Sequence, residues 1–186
     1  MIGFALTGSF CTISKALEIM NILVLRGYDI LPIMSENVYN TDTRFASFEE
    51  VRKKAIEISG REIVHTITEA EPLGPKIKLD AMVVCPCTGN TLSKIANGIT
   101  DTSVTMATKA HLRNNNPLLI CLASNDALSA NLKNIATLMS RKNVYFTPMH
   151  QDDPVNKPHS LVAEFELVAN SLELALEGKQ NPRIFI

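Results

Sequence analysis

The sequence predicts an α/β fold, in which residues 1–186 form a single domain around a doubly wound parallel sheet with helices on both faces. Two observations predict this class. Short apolar segments typical of strands alternate regularly with longer segments whose apolar residues recur at helical spacing. At residues 81–85 the segment AMVVC is continuously apolar, as expected for a parallel strand that is covered on both faces. With 186 residues, 46% of them hydrophobic, the chain is long enough to bury a sizeable core.

The first half of the chain predicts three strands and two helices. They are, in order, a strand at residues 2–7, a helix at 13–27, a strand at 29–35, a helix at 47–60 and a weaker strand at 62–67. The first helix is indicated by apolar residues at helical spacing that continue until Gly27. The second helix opens with SFEE, from Ser47 to Glu50, which is the pattern of a capping box, and Gly60 can end it.

The second half begins after a loop that contains proline and glycine, EAEPLGPKIKLD. Its predicted elements are a strand at 81–85, helices near 90–97 and 103–113, a strand at 117–123, a helix at 127–139, a strand at 143–148 and an amphipathic helix at 160–177. Strands and helices therefore alternate along the whole chain. For the common strand order 3-2-1-4-5-6, the order reverses between the first and fourth predicted strands.

Composition excludes several classes of partner. The formal net charge is −1 and the basic residues are scattered, so neither nucleic acid nor an anionic membrane is expected as a partner. No apolar run approaches the roughly 20 residues that span a bilayer, and the first residues lack the pattern of a signal peptide. We therefore expect a cytoplasmic protein, in which Cys11, Cys85, Cys87 and Cys121 are thiols.

Two loops at the predicted reversal point indicate a ligand site. TGSFCT, residues 7–12, follows the first strand, and PCTGNT, residues 86–91, follows the fourth. Both place glycine and hydroxyl residues at the entrance to a helix, where unpaired backbone N–H groups and the helix dipole favour an anion. Ligands of doubly wound sheets bind at this crevice. The sequence therefore predicts a site for a phosphate-bearing nucleotide.

Other interpretations of the same residues stay open at this point. Cys85 and Cys87 lack the second ligand pair of a zinc site, so we expect no metal there and regard them as core thiols. Ser9, Thr88 and Asn90 can equally be helix caps. The chain contains neither G-x-G-x-x-G nor a Walker sequence, which indicates a nucleotide other than NAD or ATP. The four histidines show no metal-ligand spacing.

These motifs resemble a known family of flavoproteins with a Rossmann-like fold. The family includes phosphopantothenoylcysteine decarboxylase, the lantibiotic cysteine decarboxylases and the flavin prenyltransferases. Its members carry a TGS-type first loop and a segment P-A-[ST]-x-N-T-x-x-K-I-A-x-G-x-x-D, which is similar to PCTGNTLSKIANGITD at residues 86–101. AEPLGPK, RNNNPLL, NDAL and QDDPVNKP further resemble one branch, the B subunits of dipicolinate synthases from spore-forming bacteria.

The resemblance implies FMN as the cofactor and assigns residues to it. Ser9 and Ser35 would serve the phosphate, and the PCTGNT turn would serve the ribityl chain and the ring. The implied FMN-binding set is Gly8, Ser9, Ser35, Thr88, Gly89, Asn90 and Thr91.

The resemblance also implies a reaction, a partner and a location. The reaction is the oxidation of a dihydrodipicolinate-level precursor to dipicolinate during sporulation, in the mother-cell cytoplasm. The partner is a nicotinamide-binding A subunit, and the chain itself is expected to form a trimer or a multiple of trimers. Which subunit carries the chemistry stays open, and no catalytic residue is assigned. A stand-alone decarboxylase or prenyltransferase and a flavin-free scaffold are the alternatives.

Departures from the family motifs bear on the substrate. The decarboxylases carry a histidine in an H-I-x-L segment, where this chain has GPKIKLDA, and this difference disfavours cysteine decarboxylation. Their P-x-M-N motif appears here as LASN, which retains Asn125. A dicarboxylate substrate needs cationic partners. The predicted substrate-binding residues are Asn125, Asn131, Arg44 and Lys94.

Overall fold

A computed structural model describes all residues, 1–186, and contains one seven-stranded sheet. The strands are β1 Ile2–Leu6, β2 Ile30–Met34, β3 Ala81–Cys87, β4 Leu118–Ser124, β5 Val144–Phe146, β6 Met149–His150 and β7 Leu161–Ala163. The helices are α1 Ile13–Leu25, α2 Glu36–Asn40, α3 Phe48–Ser59, α4 Ile67–Ala70, α5 Gly89–Ala96, α6 Ser103–Leu112, α7 Leu132–Met139 and α8 Val168–Leu176. Short 3-10 turns at Phe10–Thr12 and Phe165–Leu167 precede α1 and α8.

The parallel part of the sheet has the order β2-β1-β3-β4, and β5 pairs beside β4. Side chains of the central strand β1 alternate between the two faces. Phe4 and Leu6 pack with α1 and α8, whereas Ala5 packs on the opposite face with residues of α5 and α6. Each face is covered by its own apolar cluster of buried residues. The predicted fold class, a doubly wound sheet with helices on both faces, is therefore confirmed.

The predicted strand at 62–67 is reduced to a single bridge. Val64 bridges Ile33 of β2 in the parallel direction, at the position that the predicted order gives to a third strand. The segment cannot continue as a strand because Thr66 begins α4. The Thr66 hydroxyl accepts a hydrogen bond from Glu69 N (3.2 Å), and the Glu69 carboxylate accepts one from Thr66 N (3.1 Å). The backbone is therefore turned away from β2 by a capping box.

Two predicted helices start later than their sequence pattern indicates. The helix predicted at 127–139 begins at Leu132, because Asp126 O accepts the backbone N–H groups of Ser129 and Asn131 in a turn. The prediction of an amphipathic helix at 160–177 was wrong for its first residues, because α8 begins only at Val168. Residues 161–163 form β7, which pairs antiparallel with Ala123 and Ser124 at the end of β4.

Other local predictions are confirmed. Ser47 and Glu50 form the capping box of α3, with Glu50 N donating to Ser47 Oγ at 3.2 Å and Ser47 N donating to Glu50 Oε2 at 3.1 Å. Gly60 ends that helix with a φ of 65°, a conformation that favours glycine. None of the helices has the length and apolar character needed to cross a membrane.

Candidate functional site

The loops after β1 and β3 are held together by one buried threonine. Thr7 is 1% exposed. Its hydroxyl donates to Pro86 O (2.7 Å) and accepts from Thr88 N (3.0 Å). Because a hydroxyl can donate and accept at once, a single side chain fixes the two loops relative to each other. The sequence predicts both loops at one crevice, but it does not identify Thr7 as the residue that connects them.

A cleft of about 910 Å³ opens at this point, beyond the carboxyl ends of the central strands. Its lining residues come from the segments 8–15, 88–90, 123–126, 150–157 and 160–166. One wall consists of the two predicted loops, and the other consists of the β6–β7 hairpin with the turn that follows it. Its volume lies in the range of about 300–1,000 Å³ that small-molecule sites occupy.

The entrance to α5 leaves backbone donors available to a ligand. The Thr88 hydroxyl caps this helix by accepting from Thr91 N (3.2 Å), and it also donates to Thr91 Oγ1 (3.0 Å). The N–H groups of Gly89 and Asn90 lie in the first turn, where a helix offers no intrahelical acceptor. Both residues line the cleft. The positive end of the helix dipole therefore faces a solvent-filled space that an anion can enter.

Ser9, Thr88 and Asn90, which could each be only a helix cap, differ in their observed hydrogen bonds. Thr88 is a cap. Ser9 forms no side-chain cap bond, and its hydroxyl instead accepts from Thr12 Oγ1 at 3.1 Å. Asn90 is exposed in the cleft, and its side chain forms no hydrogen bond within the chain. The Ser9 hydroxyl can still donate a hydrogen bond, and the Asn90 amide is fully available to a ligand.

Gly89 rests directly on a polar floor. A Cβ atom at this position would lie 2.5 Å from Ser124 Oγ, 2.6 Å from Asp126 Oδ1 and 2.7 Å from Asn131 Nδ2. These three groups are bonded to one another: Ser124 Oγ donates to one oxygen of Asp126, and Asn131 Nδ2 donates to the other at 2.8 Å. A side chain at residue 89 would have to displace this hydrogen-bonded network, so the floor of this chain favours glycine.

Ser35 adds an unsatisfied hydroxyl near the end of β1. It follows β2, and its backbone N–H donates to Leu6 O at 3.1 Å. Its Oγ atom is buried and has no hydrogen-bond partner in the chain. Buried polar groups are nearly always paired, so this atom is suited to a partner supplied by a ligand.

The structure does not bring every predicted site residue into the cleft. Gly8, Ser9, Thr88, Gly89, Asn90 and Asn125 line it, whereas Ser35 does not. Thr91 and Asn131 are buried behind its wall, Thr91 at 7% exposure and Asn131 at 5%. Lys94 lies on α5 outside the cleft, paired with Asp101 at 2.9 Å. Arg44 is exposed, with its guanidinium 4.8 Å from the centroid of the Phe45 ring.

Ionisable residues of the second wall were not predicted from the sequence. His150 Nδ1 lies 3.7 Å from Glu164 Oε2, and both residues line the cleft. A hydrogen bond with Glu166 and partial burial raise the pKa of Glu164, while the same hydrogen bond lowers the pKa of Glu166. No signal in the sequence pairs residues 150 and 164, because their proximity depends on the β6–β7 hairpin.

The Cys85 and Cys87 thiols lie in the core. Both are fully buried, and burial is the main cause that raises their pKa values. They are therefore neutral packing groups, in agreement with the interpretation as core thiols.

These features fit a phosphate-bearing cofactor such as FMN. A helix entrance with available N–H groups and a glycine pressed against the floor occur at one cleft, and the buried unpaired hydroxyl of Ser35 lies outside the cleft lining, at the end of β2 beside β1. Together they define a nucleotide-type binding site at the switch point of a doubly wound sheet.

The chain belongs to the flavoprotein family, whose sequence model matches residues 1–167. FMN is the cofactor of this family. The chain is 45% identical over its full length to the dipicolinate synthase B subunit of Bacillus subtilis (strain 168), of which it covers 92%.

Solved structures agree with this assignment. The structure of the dipicolinate synthase B subunit from Bacillus halodurans has 44% identity and a TM-score of 0.92, with 100% of this chain and 95% of that chain covered. The FMN-dependent cysteine decarboxylase SpaF, at 18% identity and a TM-score of 0.69, shares the fold over 95% of this chain and 94% of its own.

Proposed function

We propose that this chain is the FMN-binding subunit of a dipicolinate synthase. In this role it supports the oxidation of a dihydrodipicolinate-level precursor to dipicolinate. The observation that carries the proposal is the crevice in which Thr7 joins the two nucleotide-type loops, with Gly89 packed closely against the polar floor. The full-length identity to a dipicolinate synthase B subunit supplies the reaction.

Each loop has a defined part in cofactor binding. The hydroxyls of Ser9 and Ser35 would donate to the phosphate, since Ser35 Oγ is buried without another partner. The backbone N–H groups of Gly89 and Asn90 and the amide of Asn90 would bind the ribityl chain and the ring edge. Thr91 supports Thr88 from behind. When bound, FMN supplies a two-electron hydride acceptor.

The test of cofactor binding is a titration of the purified chain with FMN. A variant with both Ser9→Ala and Asn90→Ala should bind FMN at least tenfold more weakly. Ser14→Ala combined with Asn21→Ala is the matched control, because both residues are exposed on α1 outside the cleft. Unchanged affinity in a folded cleft variant would rule out the assignment.

Oligomerisation is a second part of the proposal. The cleft wall contains one aromatic ring of the Phe, Tyr or Trp type, Phe165, so one chain offers little aromatic surface to cover a flavin ring. A neighbouring copy can supply the rest. A relative in the family is described as a dodecameric FMN-dependent decarboxylase. We expect trimers or multiples of trimers in light scattering, and a monomer that retains FMN tightly would contradict this.

The A subunit is the proposed redox partner. The chain has no nicotinamide fingerprint of its own. Purified chain, A subunit, NADP and a dihydrodipicolinate-generating system should therefore give the ultraviolet absorbance of dipicolinate at a rate that depends on both proteins. A full rate with the A subunit alone would make this chain a scaffold.

The substrate would occupy the part of the cleft next to Asn125. Asn125 lines the cleft directly, whereas the Asn131 amide is committed to Asp126 and supports the floor. Arg44 and Lys94 both lie outside the cleft. Their predicted role as partners of the substrate carboxylates stays a prediction. Lys15 and Lys157 are the lysines that line it.

A further inference from the structure

The cleft wall opposite the α5 entrance carries an acid–base pair. His150 pairs with Val162 across the antiparallel β6–β7 hairpin, and Glu164 lies two residues beyond Val162, so the side chains of His150 and Glu164 are diagonal neighbours on one face of the hairpin. His150 Nδ1 and Glu164 Oε2 are 3.7 Å apart, with side-chain exposures of 37% and 33%. Both side chains are therefore accessible from the cleft while their positions are set by the sheet.

We infer that Glu164 is the proton acceptor for the substrate in this cleft and that His150 carries the proton onward to solvent. The inference rests on the proposed function, since it concerns the same cleft and the same oxidation. Neither residue belongs to the loops that would bind FMN. One wall of the cleft would thus bind the cofactor, and the opposite wall would transfer the proton.

The chemistry of aromatisation requires such a group. Conversion of a dihydropyridine dicarboxylate to a pyridine breaks two bonds to hydrogen. One hydrogen leaves with both electrons as hydride, to an acceptor of the flavin or nicotinamide class. The second bond breaks with its electrons kept in the ring, and its proton is transferred to the Glu164 carboxylate. Glu164 is then neutral, and loss of this proton through His150 to water restores the carboxylate.

The surrounding charges adjust Glu164 for this role. Glu166, on the same turn, shares a hydrogen bond with it, and this bond is the main cause that raises the Glu164 pKa. Lys15 on α1 and His150 act in the opposite direction, and no lysine or arginine nitrogen lies within ion-pair distance of Glu164. Asp152 and Lys157 in the hairpin pair with each other. A base whose pKa lies closer to neutrality accepts a proton more effectively.

A structural role for these residues is less consistent with the geometry. The Glu164 backbone N–H donates to Pro148 O at 2.7 Å, and this bond closes the hairpin without any contribution from the side chain. The Glu164 carboxylate caps no helix, although the residue precedes the 3-10 turn Phe165–Leu167. Replacement of the carboxylate should therefore leave the fold intact.

The first experiment measures protonation without any turnover. The purified chain, with ¹³C in its glutamate carboxyls, is titrated by NMR, and Glu164→Gln identifies the signal. We expect Glu164 to titrate above the ordinary glutamate value of about 4.3. Glu166→Gln should move this titration. An ordinary value for Glu164 would overturn the inference whether or not the proposed function is correct.

The second experiment measures dipicolinate formation with the A subunit. Glu164→Gln should lower kcat by about 10²- to 10⁴-fold, with FMN affinity unchanged, and His150→Gln should alter the pH profile of kcat. Glu49→Gln, an exposed carboxylate on α3, is the control. A wild-type rate in Glu164→Gln would refute the role of Glu164. If the wild-type pair of subunits forms no dipicolinate, the proposed function fails, and the proton-acceptor role fails with it.

Discussion

Substitution of Gly89 by alanine tests the central feature of the site. The new methyl group would lie 2.5–2.7 Å from three polar atoms, closer than Cβ atoms approach in proteins. To relieve these close contacts, the side chains of Ser124, Asp126 and Asn131, which are hydrogen-bonded to one another, would have to move. Overpacking costs about 1–3 kcal/mol and loss of one hydrogen bond to a charged group about 1.5–3 kcal/mol, so we expect a loss of about 2.5–6 kcal/mol of unfolding free energy.

Urea unfolding measures this loss as a lower midpoint at an unchanged slope. Gly8→Ala is the matched control for the unfolding measurement, because its Cβ would meet only the Phe10 ring at an ordinary 3.5 Å. Ser124→Ala removes the nearest atom, so the double variant with Gly89→Ala should recover part of the stability. FMN affinity should fall in Gly89→Ala even where the protein is folded. Wild-type stability and wild-type FMN affinity in Gly89→Ala would refute the proposed packing of α5 on the floor.

Three further predictions follow from single residues. Ser35→Ala should leave stability within about 0.5 kcal/mol but weaken FMN binding, because its buried hydroxyl has no partner in the chain; parallel unfolding and FMN titrations check this. Thr7→Val removes both bonds between the loops and should cost about 1–3 kcal/mol in urea unfolding. Burial lowers the pKa of His111 below 6.5, so the unfolded chain binds the extra proton and stability should fall as the pH drops through this value. His111→Gln should flatten this dependence in unfolding curves measured between pH 5 and 8, and an unchanged slope would contradict it.

The fold could be predicted because its signals are local. Each parallel strand is a short apolar run, and each long helix shows its own periodicity or cap, as at Ser47 and Gly60. The two cleft loops could also be placed, since their glycine and hydroxyl residues follow predicted strands one and four. Strand order then brings them together without any knowledge of side-chain contacts.

The second wall of the cleft could not be predicted, for a physical reason. β6 has two residues and β7 has three, and strands of this length are too short to show a periodicity. The apolar residues after Ser160 also continue into α8, so the whole segment had the pattern of one helix.

Lys94 illustrates a different limit of prediction from the sequence. It was predicted to lie near the crevice, but it lies outside the cleft, and its pairing with Asp101 depends on how the chain leaves α5.

The length of β5 explains why the cleft has a second wall at all. β4 continues to Ser124, but β5 pairs only with its first three residues, Leu118–Ile120. The last part of β4 is therefore left without a parallel neighbour on that side, and unpaired backbone groups in a buried strand are costly. The chain returns as the β6–β7 hairpin and pairs with Ala123 and Ser124 in the antiparallel direction. This pairing extends the sheet beyond the carboxyl ends of the parallel strands, which is where the crevice lies. The need to satisfy the end of β4 thus places His150 and Glu164 opposite the loops that we propose to bind FMN, so sequence changes in this hairpin could alter the proposed proton transfer while these loops are preserved.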